Sequence, residues 1–155
     1  MVTGGAGYIG SHMVFELIDA GEALVVLDNI STGYRWAVAD SVPLIVGDIA
    51  DSGLVEGIIT EHSIDSIVHF AGSIVVPESI ADPLCYYLNN TVRSHSLIKS
   101  AVKMNIRNFI FSSTAAVYGL PKSNPVYENA ELAPISPYGS SKLMTEMILA
   151  DTSRV

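Results

Sequence analysis

A chain of 155 residues with 16 acidic and 8 basic side chains carries a formal charge of −8. That balance excludes the clustered cationic surface that displaces counterions from nucleic-acid phosphates. With 49% apolar and 15% charged residues the chain is neither disordered nor fibrous, and residues 1–155 are expected to form one domain around one core. No apolar run reaches the ~18 residues that span a bilayer, and no basic stretch followed by an apolar block opens the chain. Neither a membrane segment nor an export signal is therefore expected, and a cytoplasmic location is.

Apolar runs rich in β-branched residues recur, each followed by Gly or polar residues and then by helical spacing, the pattern of successive βαβ units. The first strand, 1–3, runs into Gly4-Gly5-Ala6-Gly7-Tyr8-Ile9-Gly10, and a helix over 9–20 follows. Glycines at 4, 7 and 10 suit a dinucleotide turn. The first permits a tight turn, the second lets backbone approach a pyrophosphate, and the third lets helix pack on strand. The helix N-terminus adds N–H donors and partial positive charge, which a chain without a basic patch needs to hold an anion. The second strand, 23–27, delivers Asp28 about twenty residues beyond the turn, where a carboxylate accepts from both ribose hydroxyls of an adenosine and repels a 2′-phosphate. That favours NAD over NADP.

A third strand, 43–46, and a helix, 51–61, precede a fourth strand, 66–70, and a long helix, 82–104. Cys85, the only cysteine, excludes an intramolecular disulfide and is expected to be a buried, small apolar side chain. His12, His62, His69 and His95 lack metal-ligand spacing, so they are read as structural and no metal site is expected. The fifth strand, 108–111, reads as buried and ends in Ser112, Ser113 and Thr114, at the strand end that faces the ligand crevice in such sheets. The alternation predicts an α/β, Rossmann-like, doubly wound parallel sheet covered on both faces.

The last helix, 137–150, opens with Tyr138-Gly-Ser-Ser-Lys142, which puts a phenol and an ammonium one turn apart on one face. An ordinary phenol is a poor base at neutral pH, and an adjacent ammonium favours the phenolate that can take a hydroxyl proton. Tyr118-Gly-Leu-Pro-Lys122 repeats the spacing, but Gly119 and Pro121 oppose a continuous helix there. Only Tyr138 begins a sustained helical pattern, Leu143-Met144-Met147-Ile148.

The Gly-x-x-Gly-x-x-Gly turn resembles that of the extended short-chain dehydrogenase/reductase family. Thr3-Gly-Gly-Ala-Gly-Tyr-Ile-Gly-Ser-His12 with Leu27-Asp-Asn-Ile-Ser-Thr-Gly33 is similar to the UDP-glucose 4-epimerase branch in particular. The resemblance implies tightly bound NAD, a nucleotide sugar (UDP-glucose or UDP-galactose) as substrate, and interconversion through a 4-keto intermediate, with no net oxidation. It implies cofactor contacts from Gly4, Gly7, Tyr8, Ile9, Gly10, Asp28, Asn29, Ser31, Thr32 and Gly33. Asp48 and Ile49 would flank the adenine, and Phe70, Ala71 and Gly72 would run beneath the nicotinamide end. Asn90 would help hold the active-site geometry, Ser112 would join the cofactor set, and Lys142 would hold the nicotinamide ribose. Thr114 would hydrogen-bond the reacting sugar oxygen and share its proton with Tyr138, the catalytic trio being Thr114, Tyr138 and Lys142. Ala115-Ala116 stand where the related 4,6-dehydratases carry an acidic pair, which speaks against dehydration. Ile74 stands where several epimerases have a lysine, so one cationic contact is missing. The family's helices of the 82–104 type and its tyrosine helix commonly pair into a homodimer.

Three residues before the glycine turn make a short first strand, and 150–155 follow a helix with no sixth strand after it. The chain is thus expected to be a fragment without the C-terminal substrate lobe, weak or inactive alone. Two alternatives stay open: another NAD-dependent nucleotide-sugar epimerase or decarboxylase of the same superfamily, and a dinucleotide-binding module without turnover.

Overall fold

The computed structural model describes residues 1–153; Arg154 and Val155, the end of the 150–155 segment, lie outside the described residues. The chain divides into two compact units, Met1–Gly72 with Ser96–Ser112, and Ser73–His95 with the described residues from Ser113 onward.

The first unit carries a five-stranded sheet: β1 (Val2–Thr3), β2 (Val26–Asp28), β3 (Leu44–Val46), β4 (Ser66–His69) and β5 (Asn108–Phe111). Every pairing is parallel and the order is β3-β2-β1-β4-β5, the doubly wound arrangement expected. Residues alternate faces along a strand, so β2 and its lead-in feed two cores. Val25 and Leu27 join Ile67, then Val55, Ile58 and Ile59 of helix α2 (Ser52–Glu61), and Leu97 and Ala101 of helix α5 (Arg93–Lys103). Val26 and Val2 join Val14 of helix α1 (Tyr8–Asp19), with Ala6, Val38 and Val42. Asp51 caps α2 by accepting from Leu54 N–H at 3.0 Å, so the expected start at 51 is the cap. His69 is fully buried, its Nδ1 2.6 Å from the Thr3 hydroxyl across the β1–β4 pair.

The fifth strand departs from expectation. It is the edge strand, its side chains alternate exposed and half-buried, and Ile110 is open to solvent. Its apolar composition describes a strand covered on both faces; among the described residues it pairs with β4 alone.

The second unit holds helices α3 (Val76–Ala81) and α4 (Pro83–Tyr86), a π-helical segment (Tyr87–Val92), a 3₁₀ turn (Ala115–Tyr118) and helix α6 (Pro137–Thr152). The stretch expected as one helix over 82–104 is therefore α4, the wider π turns and then α5, with Asp82 capping by accepting from Cys85 N–H at 3.1 Å. Helical spacing does not reveal a π segment, because one extra residue per turn leaves a pattern that still reads as helix. Helix α3 and both 3₁₀ turns, the other at Arg35–Ala37, are too short for periodicity to show. Cys85 is exposed, contrary to the buried thiol expected: its neighbour Tyr86 takes the inward position, and one residue is about 100° of helix.

Ile67 lies on β4, fully buried, flanked by β1 and β5. Ile67→Ala is expected to destabilise the chain by about 2–5 kcal/mol, read as a lower midpoint in urea denaturation with an unchanged slope.

Candidate functional site

In the first unit the glycine turn joins β1 to α1, and Gly10 sits where helix and turn touch. A Cβ there would lie 2.1 Å from Gly4 O, so any side chain pushes α1 off the turn. Gly7 occupies the N-cap position of α1 and no side chain caps it, which leaves the helix N-terminus to a ligand anion. Tyr8 and Ile9, on that first turn, are exposed.

Asp28 ends β2 with its carboxylate buried and engaged. Oδ2 accepts from Ala6 N–H at 2.9 Å and Oδ1 from Ile30 N–H at 2.8 Å. It therefore pins the glycine turn to the loop after β2, and each oxygen keeps a second lone pair for a ribose hydroxyl. The same loop is held again by Tyr34 N–H, which donates to Ala6 O at 3.0 Å, while Asn29 Oδ1 accepts from Ser31 N–H at 3.0 Å. Gly33 packs on Ala6, and Ser31 and Thr32 are exposed. Asp48 turns the chain after β3, accepting from Ala50 N–H at 2.9 Å, while the Ile49 side chain is in the core. Ile49 can therefore meet a base only along its backbone. Phe70 and Ala71 pack against the two cores at the end of β4, and Ser112 N–H donates to His69 O at 3.1 Å. The residues fit a dinucleotide: an uncapped helix N-terminus behind a turn that excludes side chains, and a carboxylate at the neighbouring strand end.

In the second unit Thr114 caps the 3₁₀ turn, its Oγ1 accepting from Ala116 N–H at 3.1 Å, so the hydroxyl proton is left for another acceptor. That turn backs onto the first turn of α6. A Cβ on Gly139 would lie 2.7 Å from Ala116 O, so a glycine after Tyr138 lets the Thr114 segment and the tyrosine helix meet at backbone distance. Ser136 and Pro137 start α6, Ser136 Oγ accepting from Gly139 N–H at 3.2 Å. Tyr138 is half-buried on the first turn, and Lys142 follows one turn later, 3% exposed. Tyr118 ends the 3₁₀ turn and Gly119 takes φ 61°, so the Tyr118–Lys122 pair is not on a helix.

The buried face of α6 is Gly139, Ser141, Lys142 and Thr145, whereas Met144 and Met147 are exposed. The apolar spacing marked the helix but not the side it buries. Asn90, on the π segment, is buried: its Oδ1 accepts from Ser73 N–H at 2.7 Å, and its Nδ2 donates to Ser73 O at 2.9 Å and to Ser141 Oγ at 3.1 Å. Its carboxamide is committed to protein partners and ties the Ser73 loop to α6. Thr145 Oγ1 donates toward Asn90 O at 3.0 Å, and Thr91 Oγ1 donates to Ser141 O at 3.1 Å. Ser113 Oγ donates to Glu146. Ser73, Tyr86, Ser141, Thr145 and Glu146 were not singled out in the sequence; the one available signal was Ser141 and Thr145 flanking Lys142 at helical spacing. Ile74 is 67% exposed, with no cationic side chain in its place. Among the described residues no cluster of His, Cys, Asp and Glu could hold a metal ion, and no helix is long and apolar enough to cross a membrane.

Residues 1–154 match the NAD dependent epimerase/dehydratase family. The chain is 52% identical over 151 residues to the UDP-glucose 4-epimerase of Azospirillum brasilense, covering 97% of this chain and 43% of that protein. It is 46% identical to that of Lactobacillus helveticus, over 97% and 46% of the two chains. Its fold superposes with a TM-score of 0.97 on UDP-glucose 4-epimerase from Brucella ovis in complex with NAD, at 40% identity, covering 99% of this chain and 47% of that one. The Bifidobacterium longum UDP-glucose 4-epimerase in complex with NAD+ and UDP gives 0.92 at 38% identity, over 97% and 48%. The chain thus spans about half the length of the relatives it matches.

Burial pulls the Lys142 ammonium down to about 8 from the usual 10.5. At pH 7 it is still about nine-tenths charged. Between about 8 and 10.5 the unfolded chain binds more protons than the folded one, so raising the pH through that window relieves the cost of burying the charge. The stability of Lys142→Met relative to the parent chain is expected to fall by about 3 kcal/mol between about pH 7 and pH 10.5, measured by denaturant unfolding across pH.

Proposed function

Because the chain belongs to the NAD dependent epimerase/dehydratase family, we propose that residues 1–155 form the NAD-binding domain of an isomerase that interconverts UDP-glucose and UDP-galactose. The observation that carries the reading is the second unit's arrangement: Tyr138 and Lys142 one turn apart on α6, with the Thr114 turn packed on Gly139 between them. The relatives named UDP-glucose 4-epimerase support the same reading. The proposed cofactor residues are Gly4, Gly7, Tyr8, Ile9, Gly10, Asp28, Asn29, Ser31, Thr32, Gly33, Asp48, Ile49, Phe70, Ala71, Gly72, Asn90, Ser112, Tyr138 and Lys142. Asp28 disfavours a 2′-phosphate by charge, which selects NAD.

NAD, when bound, supplies reversible hydride acceptance at the sugar C4, passing through the 4-keto sugar. The chain's own residues handle the proton. Tyr138 removes it from the 4-hydroxyl and returns it, with Lys142 one turn further along α6. Thr114, its proton left over by the Ala116 contact, hydrogen-bonds the same sugar oxygen. A cytoplasmic location goes with this reading.

We also propose a homodimer. Leu84, Leu88 and Val92 recur one turn apart and are exposed, as are Met144 and Met147 on α6, and an uncharged stripe of this kind can meet its own copy about a two-fold axis.

Incubation of the purified chain, about half the length of its relatives, with NAD and UDP-galactose is expected to yield UDP-glucose slowly at most, and any rate is expected to fall at least about 100-fold in Tyr138→Phe. NAD binding without conversion would instead support a dinucleotide-binding module. In sedimentation equilibrium, Leu88→Lys is expected to convert a dimer to a monomer; a parent chain that is already monomeric refutes the dimer.

A further inference from the structure

Tyr86 and Asn90 stand on either side of the α4-to-π junction, and the two side chains do parallel work on the same two elements. On one side each grips the loop after Gly72. Asn90 holds N–H and C=O of Ser73; the Tyr86 hydroxyl accepts from Val75 N–H at 2.9 Å and donates to Val75 O at 2.7 Å. On the other side each meets α6. Asn90 donates to the Ser141 hydroxyl, which itself donates to Tyr138 O at 2.7 Å. The Tyr86 ring stands edge-to-face with the Tyr138 ring, centroids 6.5 Å apart and planes at 89°. Both arms of the bracket thus end on Tyr138, one on its backbone and one on its ring.

Tyr86 is built for that part. It is 4% exposed, and its one hydroxyl proton has two alternative acceptors, Val75 O at 2.7 Å and a Glu78 oxygen at 3.2 Å, while its oxygen accepts from Val75 N–H, so the ring is fastened at its far end. A half-buried phenol on the first turn of a helix has two rotatable side-chain torsions, and the helix backbone alone does not fix its ring plane. The perpendicular partner does, since aromatic pairs favour edge-to-face geometry. A proton-transfer group must hold its oxygen within a few tenths of an ångström of the reacting hydroxyl, so a ring left to swing loses rate and not affinity.

We propose that Tyr86 is a positioning residue for Tyr138, holding the phenol ring in place from the Ser73–Val75 loop. The inference rests on the reading of Tyr138 as the acid–base group. The test uses the 155-residue chain with ¹³C-labelled tyrosine, the Tyr138 ring signal being the one lost in Tyr138→Phe. That signal is expected to be displaced by the neighbouring ring in the parent chain, largely so in Tyr86→Phe, and to move to the position of a free tyrosine in Tyr86→Leu. An unmoved signal in a folded Tyr86→Leu overturns the proposal. If Tyr86→Leu does not fold, a nuclear Overhauser contact between the two rings in the parent chain decides instead: its presence supports the proposal and its absence overturns it. In turnover, Tyr86→Leu is expected to lower kcat about tenfold with KM for UDP-galactose unchanged, most of the loss being recovered in Tyr86→Phe. A parent chain that converts no sugar nucleotide leaves this test standing, because the ring signal still decides what Tyr86 does.

Discussion

The carboxamide of Asn90 is the constraint on which the second unit depends. A buried amide must find partners for its donors and acceptor or cost the fold their desolvation. Asn90 finds them in both backbone groups of Ser73 and in the hydroxyl of Ser141, and its own carbonyl takes the Thr145 hydroxyl. Each bond crosses between elements distant in sequence, so the loop after Gly72, the π segment and α6 are held by one residue. The π turns matter because they rotate the helix surface: with an ordinary α-helix through 87–92, the side chains on either side of that stretch would stand at different angles to α6.

A polar face on α6 follows from that arrangement. Ser141, Lys142 and Thr145 are buried there although apolar Met144 and Met147 of the same helix are exposed. Ordinary amphipathic logic would turn the helix the other way. The polar side is stabilised by hydrogen bonds instead of apolar area, and the cost of burying an ammonium is visible in Lys142, pulled down to about 8. The cost falls on an ammonium one turn from the Tyr138 phenol.

The two units use one device twice. In the first, Gly10 lets α1 come within backbone distance of the glycine turn; in the second, Gly139 lets α6 come within backbone distance of the Thr114 turn. In each case a single Cβ would displace the start of a helix. Asp28 adds the electrostatic counterpart, a carboxylate satisfied by two backbone N–H groups at the end of β2. In a chain of charge −8 an uncapped helix N-terminus is the feature suited to an anion.

Much of this was legible in the residues alone, for local reasons. A glycine-rich turn, a strand run of β-branched residues and a Tyr-x-x-x-Lys at the start of a helical pattern are short-range features, and they determined the parallel doubly wound sheet, the strand-to-helix turn, the carboxylate at the end of β2 and the helix that carries Tyr138 and Lys142. Only the tertiary structure decided that Cys85 faces solvent, that β5 is an edge, that 82–104 is broken by a π segment, and that Tyr86 and Asn90 bracket α6. Those outcomes turn on which side of a helix or strand meets a neighbour dozens of residues away. Periodicity names the candidates for burial, but only partners across the fold choose among them.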